Sequence, residues 1–234
     1  MNIEELQHLI GYNFHDPRLL KIAITHRSYM SEKDRDPEIT EHNERLEFLG
    51  DAVLELVVTD FLFNNYPKES EGMLTALRAA LVNYRTTGEA GQRLGLEERM
   101  NLSHGERSEL GKARLSIVAD AVEAIIGGIY LDGGIEPCKI FIKNVILIYL
   151  SDIVESKSYR DSKTELQELS QKEYKITPHY KVLFSEGKDH EKMFHVGVWL
   201  DKEMVAEGEG RSKQKAEVEA AQRGVVILLE RLKK

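Results

Sequence analysis

The acidic and apolar stretch from His42 to Asp51 constrains this chain more than any other segment. In a helix, Glu44, Glu47 and Asp51 would be spaced by three and four residues and would share one face. An acidic triplet of this kind is usually a solvated helix face. Here Arg45 is the only arginine or lysine inside the stretch, and it is predicted to lie on a different face. Unpaired carboxylates this close together also repel one another and resist burial.

A second acidic pair, Asp120 and Glu123, lies inside the apolar run from Leu115 to Leu131. One helical turn separates the two residues, so they also share a face. Charged groups in an apolar helix need a partner, and one hard divalent cation can satisfy several carboxylates together. We therefore expect two acidic helices to meet across a metal ion.

The first two thirds of the chain are predicted to be helical throughout. Apolar periodicity and capping residues place helices at residues 1–10, 17–29, 40–65, 73–84, 86–94, 115–130 and 137–153. Residues 31–39 and 101–114 are predicted loops, and Asp132-Gly133-Gly134 is predicted to end a helix. Gly50 lies in the middle of a helix at a cost of about 1 kcal/mol relative to alanine. This cost predicts that another backbone approaches closely at Gly50.

Beyond these physical arguments, the string NERLEFLGDAVL, from Asn43 to Leu54, closely resembles the signature of the ribonuclease III family. The resemblance implies an endonuclease that hydrolyses double-stranded RNA with Mg²⁺, or with Mn²⁺ in its place. Its products would carry 5′-phosphate and 3′-hydroxyl ends with short 3′ overhangs. By motif match, the catalytic and metal-binding residues would be Glu47, Asp51, Asp120 and Glu123, whose carboxylates suit Mg²⁺. Glu44 and Glu71 match further acidic positions, with supporting roles in RNA positioning or outer-shell metal contact.

The resemblance also implies a homodimer whose interface is lined by the acidic helix. Phe48 occupies the position of a side chain inserted into the partner, and each of the two sites would meet one RNA strand. The string Thr25-His26-Arg27-Ser28 resembles the His-x-Ser step of the family. Within it, a structural, hydrogen-bonding role is predicted for His26 in preference to a catalytic one. The substrates implied are ribosomal RNA precursors and other structured transcripts.

A second, smaller domain is predicted after a polar linker. The helical domain would span residues 1–154, the linker 155–160 and the C-terminal domain 161–234. A capped helix at 161–173, strands at 180–184, 193–200 and 203–206, and a helix at 212–232 give the order α-β-β-β-α. This order resembles the double-stranded-RNA-binding domain. The predicted fold is therefore α+β, with an all-helical domain followed by this module.

The segment GEGRSKQKAE, from Gly208 to Glu217, is the predicted phosphate-binding edge of the second domain. Glycines allow the backbone to approach a phosphate, and a helix N-terminus directs unpaired N–H groups at an anion. The spacing excludes a Walker loop, and an ordinary helix cap is the alternative. The resemblance implies RNA contacts from Gly210, Arg211, Ser212, Lys213 and Lys215. It also implies minor-groove contacts from Gln167, Gln171 and His190, for which an ordinary polar surface is the alternative.

The net charge of -8 argues against a nucleic-acid partner until its distribution is considered. Residues 160–234 contain 15 Lys/Arg against 14 Asp/Glu, whereas residues 1–159 contain 17 against 26. The acidity thus lies with the carboxylate helices, where cations would offset it. The single cysteine, Cys138, excludes an intrachain disulfide and Cys-based zinc sites. Without a signal peptide or an apolar run of about 18 residues, the chain is expected to be cytoplasmic, without a membrane partner or a small-molecule cofactor.

The sequence also allows two other classes of protein. A non-catalytic RNA-binding protein with this fold should have lost one or more of the metal carboxylates, whereas this chain retains all four, as well as Glu44 and Glu71. A scaffold with an acidic face and no RNA role would leave the basic segment after Gly208 unexplained.

Overall fold

The computed structural model describes residues 3–107, 112–156, 162–187 and 192–232. Contacts within the chain divide it into two units, Met1–Tyr159 and Arg160–Lys234. Among the described residues, the first unit contains helices, connecting loops and one isolated bridge, and the second unit contains a three-stranded antiparallel sheet with one helix before it and one helix after it in the chain. The predicted α+β class and the order α-β-β-β-α are confirmed. Within the described ranges, no helix combines the length and the apolar character that a membrane span requires.

The helices of the first unit largely follow the predicted pattern. They are α1 (Ile3–Ile10), α2 (Pro17–Ala23), α3 (Glu44–Asn65), α4 (Glu71–Leu81), α5 (Tyr84–Arg93), α6 (His104–Arg107), α7 (Lys112–Gly133), α8 (Ile135–Val145) and α9 (Leu150–Ser156). The helix predicted at 137–153 is wrong in its continuity, because a 3-10 turn at Leu147–Tyr149 separates α8 from α9. The predicted loop at 101–114 contains α6 and the start of α7.

Helix α2 ends before its predicted limit because the chain leaves it to pair with a distant segment. A parallel bridge joins Thr25 to Asn101. The Asn101 amide donates to the Ile24 carbonyl at 2.9 Å, and the Asn101 carbonyl accepts from the His26 amide at 3.0 Å. These bonds hold residues 24–26 out of the helix that precedes them.

Helices α3 and α7 pack together through glycine. A Cβ atom at Gly50 would overlap the carbonyl oxygen of Glu123, and one at Gly127 would overlap the carbonyl oxygen of Leu46. The predicted close approach at Gly50 is confirmed. On either side of this contact, apolar residues of both helices are fully buried, among them Leu54 on α3 and Ile125 on α7.

Asp132 fastens the end of α7 to the segment between α1 and α2. Its carboxylate accepts hydrogen bonds from the Tyr12 hydroxyl at 2.7 Å, the His15 amide at 2.8 Å and the Asp16 amide at 2.9 Å. Burial alone would raise the pKa of Asp132, but these hydrogen bonds outweigh it and lower the pKa to about 2. The sequence predicted only a helix end here.

The second unit begins with α10 (Ser162–Tyr174) and continues with β1 (His179–Glu186), β2 (Met193–Leu200), β3 (Glu203–Gly210) and α11 (Lys213–Leu232). The antiparallel sheet has the order β1-β2-β3. Its core contains Leu166 of α10, Val198 of β2 and Leu228 of α11, all fully buried. Strand β3 extends four residues beyond its predicted end at Ala206, so Gly208 and Gly210 belong to the strand.

Candidate functional site

Three carboxylates from α3 and α7 converge beside the glycine contact between these helices. Glu47, Asp120 and Glu123 each offer an oxygen atom, and these atoms all lie within 4.8 Å of one another. All three residues are half-buried. The convergence follows from local sequence, because Glu47 lies one turn before Gly50 on α3 and Glu123 lies one turn before Gly127 on α7.

The three carboxyl groups, which we call the carboxylate cluster, lack a neutralising partner among the described residues. Burial raises the pKa of Glu123 to about 8, with further contributions from the charges of Asp51, Asp120 and Glu47. Burial also raises the pKa of Glu47 and of Asp120. Carboxylate oxygens held close together in this way are suitable ligands for a hard divalent cation. Such a cation would offset the repulsion between the carboxylates, which adds to the effect of burial on these pKa values.

The other predicted acidic residues lie around the cluster or apart from it. Asp51 is exposed and stands outside the group of three, but its charge raises the pKa of both Glu47 and Glu123. Glu44 is also exposed, and its charge raises the pKa of Glu47 and Asp120. Glu71 is exposed in the first turn of α4, where it accepts a hydrogen bond from Thr75 Oγ1 at 3.1 Å.

The segment from Thr25 to Ser28 is attached to the start of α3. The amide of Asn43, the residue before α3, donates to the Thr25 carbonyl at 2.9 Å. His26 caps a 3-10 turn at Arg27–Ser31, and its Nδ1 lies 2.9 Å from Ser28 Oγ. Burial lowers the pKa of His26. The prediction that His26 makes structural hydrogen bonds is confirmed.

Sequence reasoning missed the contact made by Arg27. Its Nη1 lies 3.4 Å from Glu44 Oε1, and His42 Nδ1 lies 3.9 Å from the other oxygen of the same carboxylate. One feature of the sequence could have drawn attention to Arg27, because it is the middle residue of the His-x-Ser step. The pairing itself depends on the fold, because the turn at Arg27 and the start of α3 are separated by a long loop.

An exposed apolar row runs along α3. Phe48, Leu56 and Phe63 are 82%, 61% and 69% exposed. At 100° per residue, the three fall within about 80° of one another around the helix axis. Large apolar side chains that share an exposed face mark an interaction surface.

In the second unit, the predicted phosphate-binding edge is a strand end and a capped helix start. Ser212 Oγ accepts a hydrogen bond from the Lys215 amide at 3.2 Å, and Arg211, Lys213 and Lys215 are exposed. A Cβ atom at Gly210 would lie 2.7 Å from the Ala216 nitrogen, so this glycine allows β3 to pack on α11. Packing is thus an observed reason for Gly210, and its RNA contact stays a prediction.

The predicted minor-groove residues on α10 are available at the surface. Gln167 and Gln171 are exposed and lie one turn apart, and Gln171 Nε2 donates to Thr177 Oγ1 at 3.2 Å. His190 lies outside the described residues.

Residues 16–150 match the family described as Ribonuclease-III-like, and residues 162–226 match the double-stranded RNA binding motif. The chain belongs to the ribonuclease III family. This is a family of metal-dependent endoribonucleases, and the carboxylate cluster could bind a metal ion. The match to the double-stranded RNA binding motif supports double-stranded RNA as the partner.

Similar members of the ribonuclease III family span nearly the same length. The ribonuclease 3 of Carboxydothermus hydrogenoformans is 43% identical over 227 residues, which cover 97% of this chain and 96% of the relative. That of Oleidesulfovibrio alaskensis is 44% identical over 218 residues, with 93% and 94% covered. A solved nuclease domain of ribonuclease III from Campylobacter jejuni, described with a region involved in dimer formation, is 43% identical. It has a TM-score of 0.56 and covers 62% of this chain and 96% of its own.

Proposed function

We propose that this protein cleaves double-stranded RNA in a reaction that requires Mg²⁺, or Mn²⁺ in its place. The products would carry 5′-phosphate and 3′-hydroxyl ends with short 3′ overhangs. The observation that carries the proposal is the carboxylate cluster, in which three half-buried acidic groups from two helices meet within 4.8 Å and no described residue neutralises them. A structural role alone would favour apolar residues at this contact, because burying like charges together is costly.

Each acidic residue has a role in the proposed site. Glu47, Asp51, Asp120 and Glu123 would hold the metal, and Glu44 and Glu71 would support it or position the RNA. When bound, Mg²⁺ supplies a Lewis acid for the attacking water and for the charge that develops on the phosphate. The protein contributes two rigid helices that hold the ligands in place, and the Gly50–Gly127 contact fixes the distance between these helices.

The second unit would deliver the substrate. Arg211, Lys213 and Lys215 surround a helix N-terminus that is suited to a phosphate, and Gly210 and Ser212 belong to the same edge. Gln167 and Gln171, with His190, would contact the minor groove. Because 2′-hydroxyls and phosphates line the minor groove of A-form RNA, such contacts would read duplex shape rather than sequence.

We further propose that the protein acts as a homodimer. The exposed row of Phe48, Leu56 and Phe63 supports this, and Phe48 would insert into the partner. Two sites would then face the two strands of one duplex. Ribosomal RNA precursors and other structured transcripts in the cytoplasm are the proposed substrates, and the single, buried cysteine is compatible with a reducing compartment.

One cleavage assay tests the central proposal. Long double-stranded RNA is incubated with the wild type, with Glu123→Gln, and with Glu136→Gln as a control at an exposed residue of α8. We expect Mg²⁺-dependent cleavage by the wild type and the control and a loss of several orders of magnitude in Glu123→Gln. Kinase labelling of the products only after phosphatase treatment would identify 5′-phosphates. RNA binding by the wild type without cleavage in Mg²⁺ would favour a non-catalytic protein.

A further inference from the structure

Arg27 is a basic side chain at the edge of an acidic surface. Its side chain is 71% exposed, and its ion pair with Glu44 is long, at 3.4 Å. An exposed pair of this kind contributes little to stability, since water and salt screen it. A guanidinium in this position is therefore free to change partners at little cost.

In contrast to this weak ion pair, the backbone on either side of Arg27 is held by hydrogen bonds to distant segments. The Ser28 hydroxyl, one residue on, accepts from the Ser103 amide at 3.1 Å, and the Thr25 carbonyl accepts from the Asn43 amide at 2.9 Å. Asn43 directly precedes Glu44, the first residue of α3. The turn thus fixes Arg27 against the helix that carries Glu47.

We propose that Arg27 binds a phosphate of the RNA strand next to the bond that is cut, exchanging Glu44 for the phosphate when the substrate arrives. This inference rests on the proposed function, since it requires the carboxylate cluster to receive RNA. Glu44 lies one turn before Glu47 on α3. The guanidinium that pairs with Glu44 can therefore reach a phosphate bound beside the carboxylate cluster. A planar guanidinium can bond a phosphate through two parallel N–H groups.

Electrostatics favours this assignment over a purely structural one. The neighbouring charges that raise the pKa of Glu47, Asp120 and Glu123 belong to acidic residues. Such a surface repels the phosphates that it must receive. A metal ion offsets the repulsion at the cluster, and Arg27 offsets it at the adjacent phosphate.

The first test measures RNA affinity with Ca²⁺ in place of Mg²⁺, so that binding is observed apart from cleavage. Arg27→Ala should weaken binding of a short RNA duplex by about tenfold, as expected for one charge-assisted hydrogen-bonded contact. It should also reduce the slope of log affinity against log salt by about one. Arg27→Lys should retain the slope with part of the affinity. Arg18→Ala is the matched control, because Arg18 is 83% exposed and pairs with Asp16 at 2.7 Å on the same unit.

A double-mutant cycle with Glu44→Gln separates phosphate binding from positioning of Glu44. If Arg27 contacts RNA, Arg27→Ala weakens binding in the Glu44→Gln background as well. If Arg27 only holds Glu44 in place, its effect vanishes there, and the inference is overturned. The inference is also overturned if Arg27→Ala matches Arg18→Ala in affinity and salt slope. A wild type that fails to bind RNA would overturn the proposed function itself, a result distinct from both.

Discussion

At the scale of single residues, the charge state of Glu123 links burial to metal binding. Its pKa of about 8 means that it carries a proton at neutral pH when no cation is present. A carboxyl group must lose this proton to become a metal ligand. Metal affinity should therefore rise as the pH increases toward 8 and level off above it.

Calorimetry can measure the released proton. At pH 7, titration of the wild type with Mg²⁺ in two buffers of different ionisation enthalpy should give different heats, corresponding to about one proton released. At pH 9 the difference should shrink, because Glu123 is then already ionised. Glu136→Gln should behave as the wild type, whereas Glu123→Gln should bind Mg²⁺ far more weakly. Buffer-independent heats at pH 7 would show that the group is ionised before the metal arrives.

Asp132 makes the opposite pH prediction, because its pKa is lowered from 3.8 to about 2. A lowered pKa means that the carboxylate stabilises the fold above about pH 4, and that this contribution is lost as the pH falls toward 2. Asp132→Asn should reduce the free energy of unfolding by about 2 kcal/mol at pH 7, the equivalent of the shift. The gap from the wild type should narrow at pH 3 in urea unfolding followed by circular dichroism. Asp152→Asn, at an exposed position of α9, should leave the free energy of unfolding unchanged at pH 7 and at pH 3.

At the scale of elements, the crossing of α3 and α7 decides whether the carboxylate cluster forms. Gly50→Ala should destabilise the first unit by about 3 kcal/mol or more, because the added methyl group meets backbone rather than a movable side chain. Gly72→Ala is the matched control, since a Cβ atom there meets nothing within 4 Å. In that helix, alanine should be neutral or stabilising by up to about 1 kcal/mol. Equal thermal midpoints for the two variants would contradict the close approach.

Part of the crossing between α3 and α7 could be predicted from the sequence. The cost of a helical glycine predicted the approach at Gly50, and helical spacing predicted that Asp120 and Glu123 share a face. These are local properties of one helix. Arg27 pairs with Glu44, and Asp132 accepts hydrogen bonds from the segment between α1 and α2. These segments meet only in the folded chain, so the periodicity of the sequence does not predict either contact. The break between α8 and α9 was missed for a different reason, because the apolar run continues through the 3-10 turn at Leu147–Tyr149.

At the scale of the whole molecule, the two units carry separate cores, which supports a division of labour. Removal of residues 156–234 should leave a folded helical protein that still cleaves duplex RNA at low salt. Its activity should fall steeply as salt increases, because fewer phosphate contacts remain. Lys213→Ala combined with Lys215→Ala in the full chain should reproduce part of this loss, and Lys202→Ala with Lys175→Ala should not. Unchanged affinity at physiological salt would contradict a phosphate-binding edge at the start of α11.

The proposed homodimer makes a prediction about strands. If each site is built from Glu47, Asp51, Asp120 and Glu123 of one subunit, a mixed dimer of wild type and Glu123→Gln has one intact site. Both subunits would still bind the RNA, so affinity should be nearly normal. The intact site should cut one strand, giving RNA that is full-length on a native gel and cleaved on a denaturing gel.

Two affinity tags, used in sequence, isolate this mixed dimer, and a mixing control must show that subunits do not exchange during the assay. Phe48→Ala in both chains should favour monomers, because it removes the most exposed apolar side chain of the row on α3. Cleavage of both strands by the mixed dimer would mean that one site serves the whole duplex. Complete inactivity would mean that the sites are shared or strongly coupled. Either result rules out two independent half-sites, whereas a single nick on each duplex is the outcome that the proposed separation of the two clusters requires.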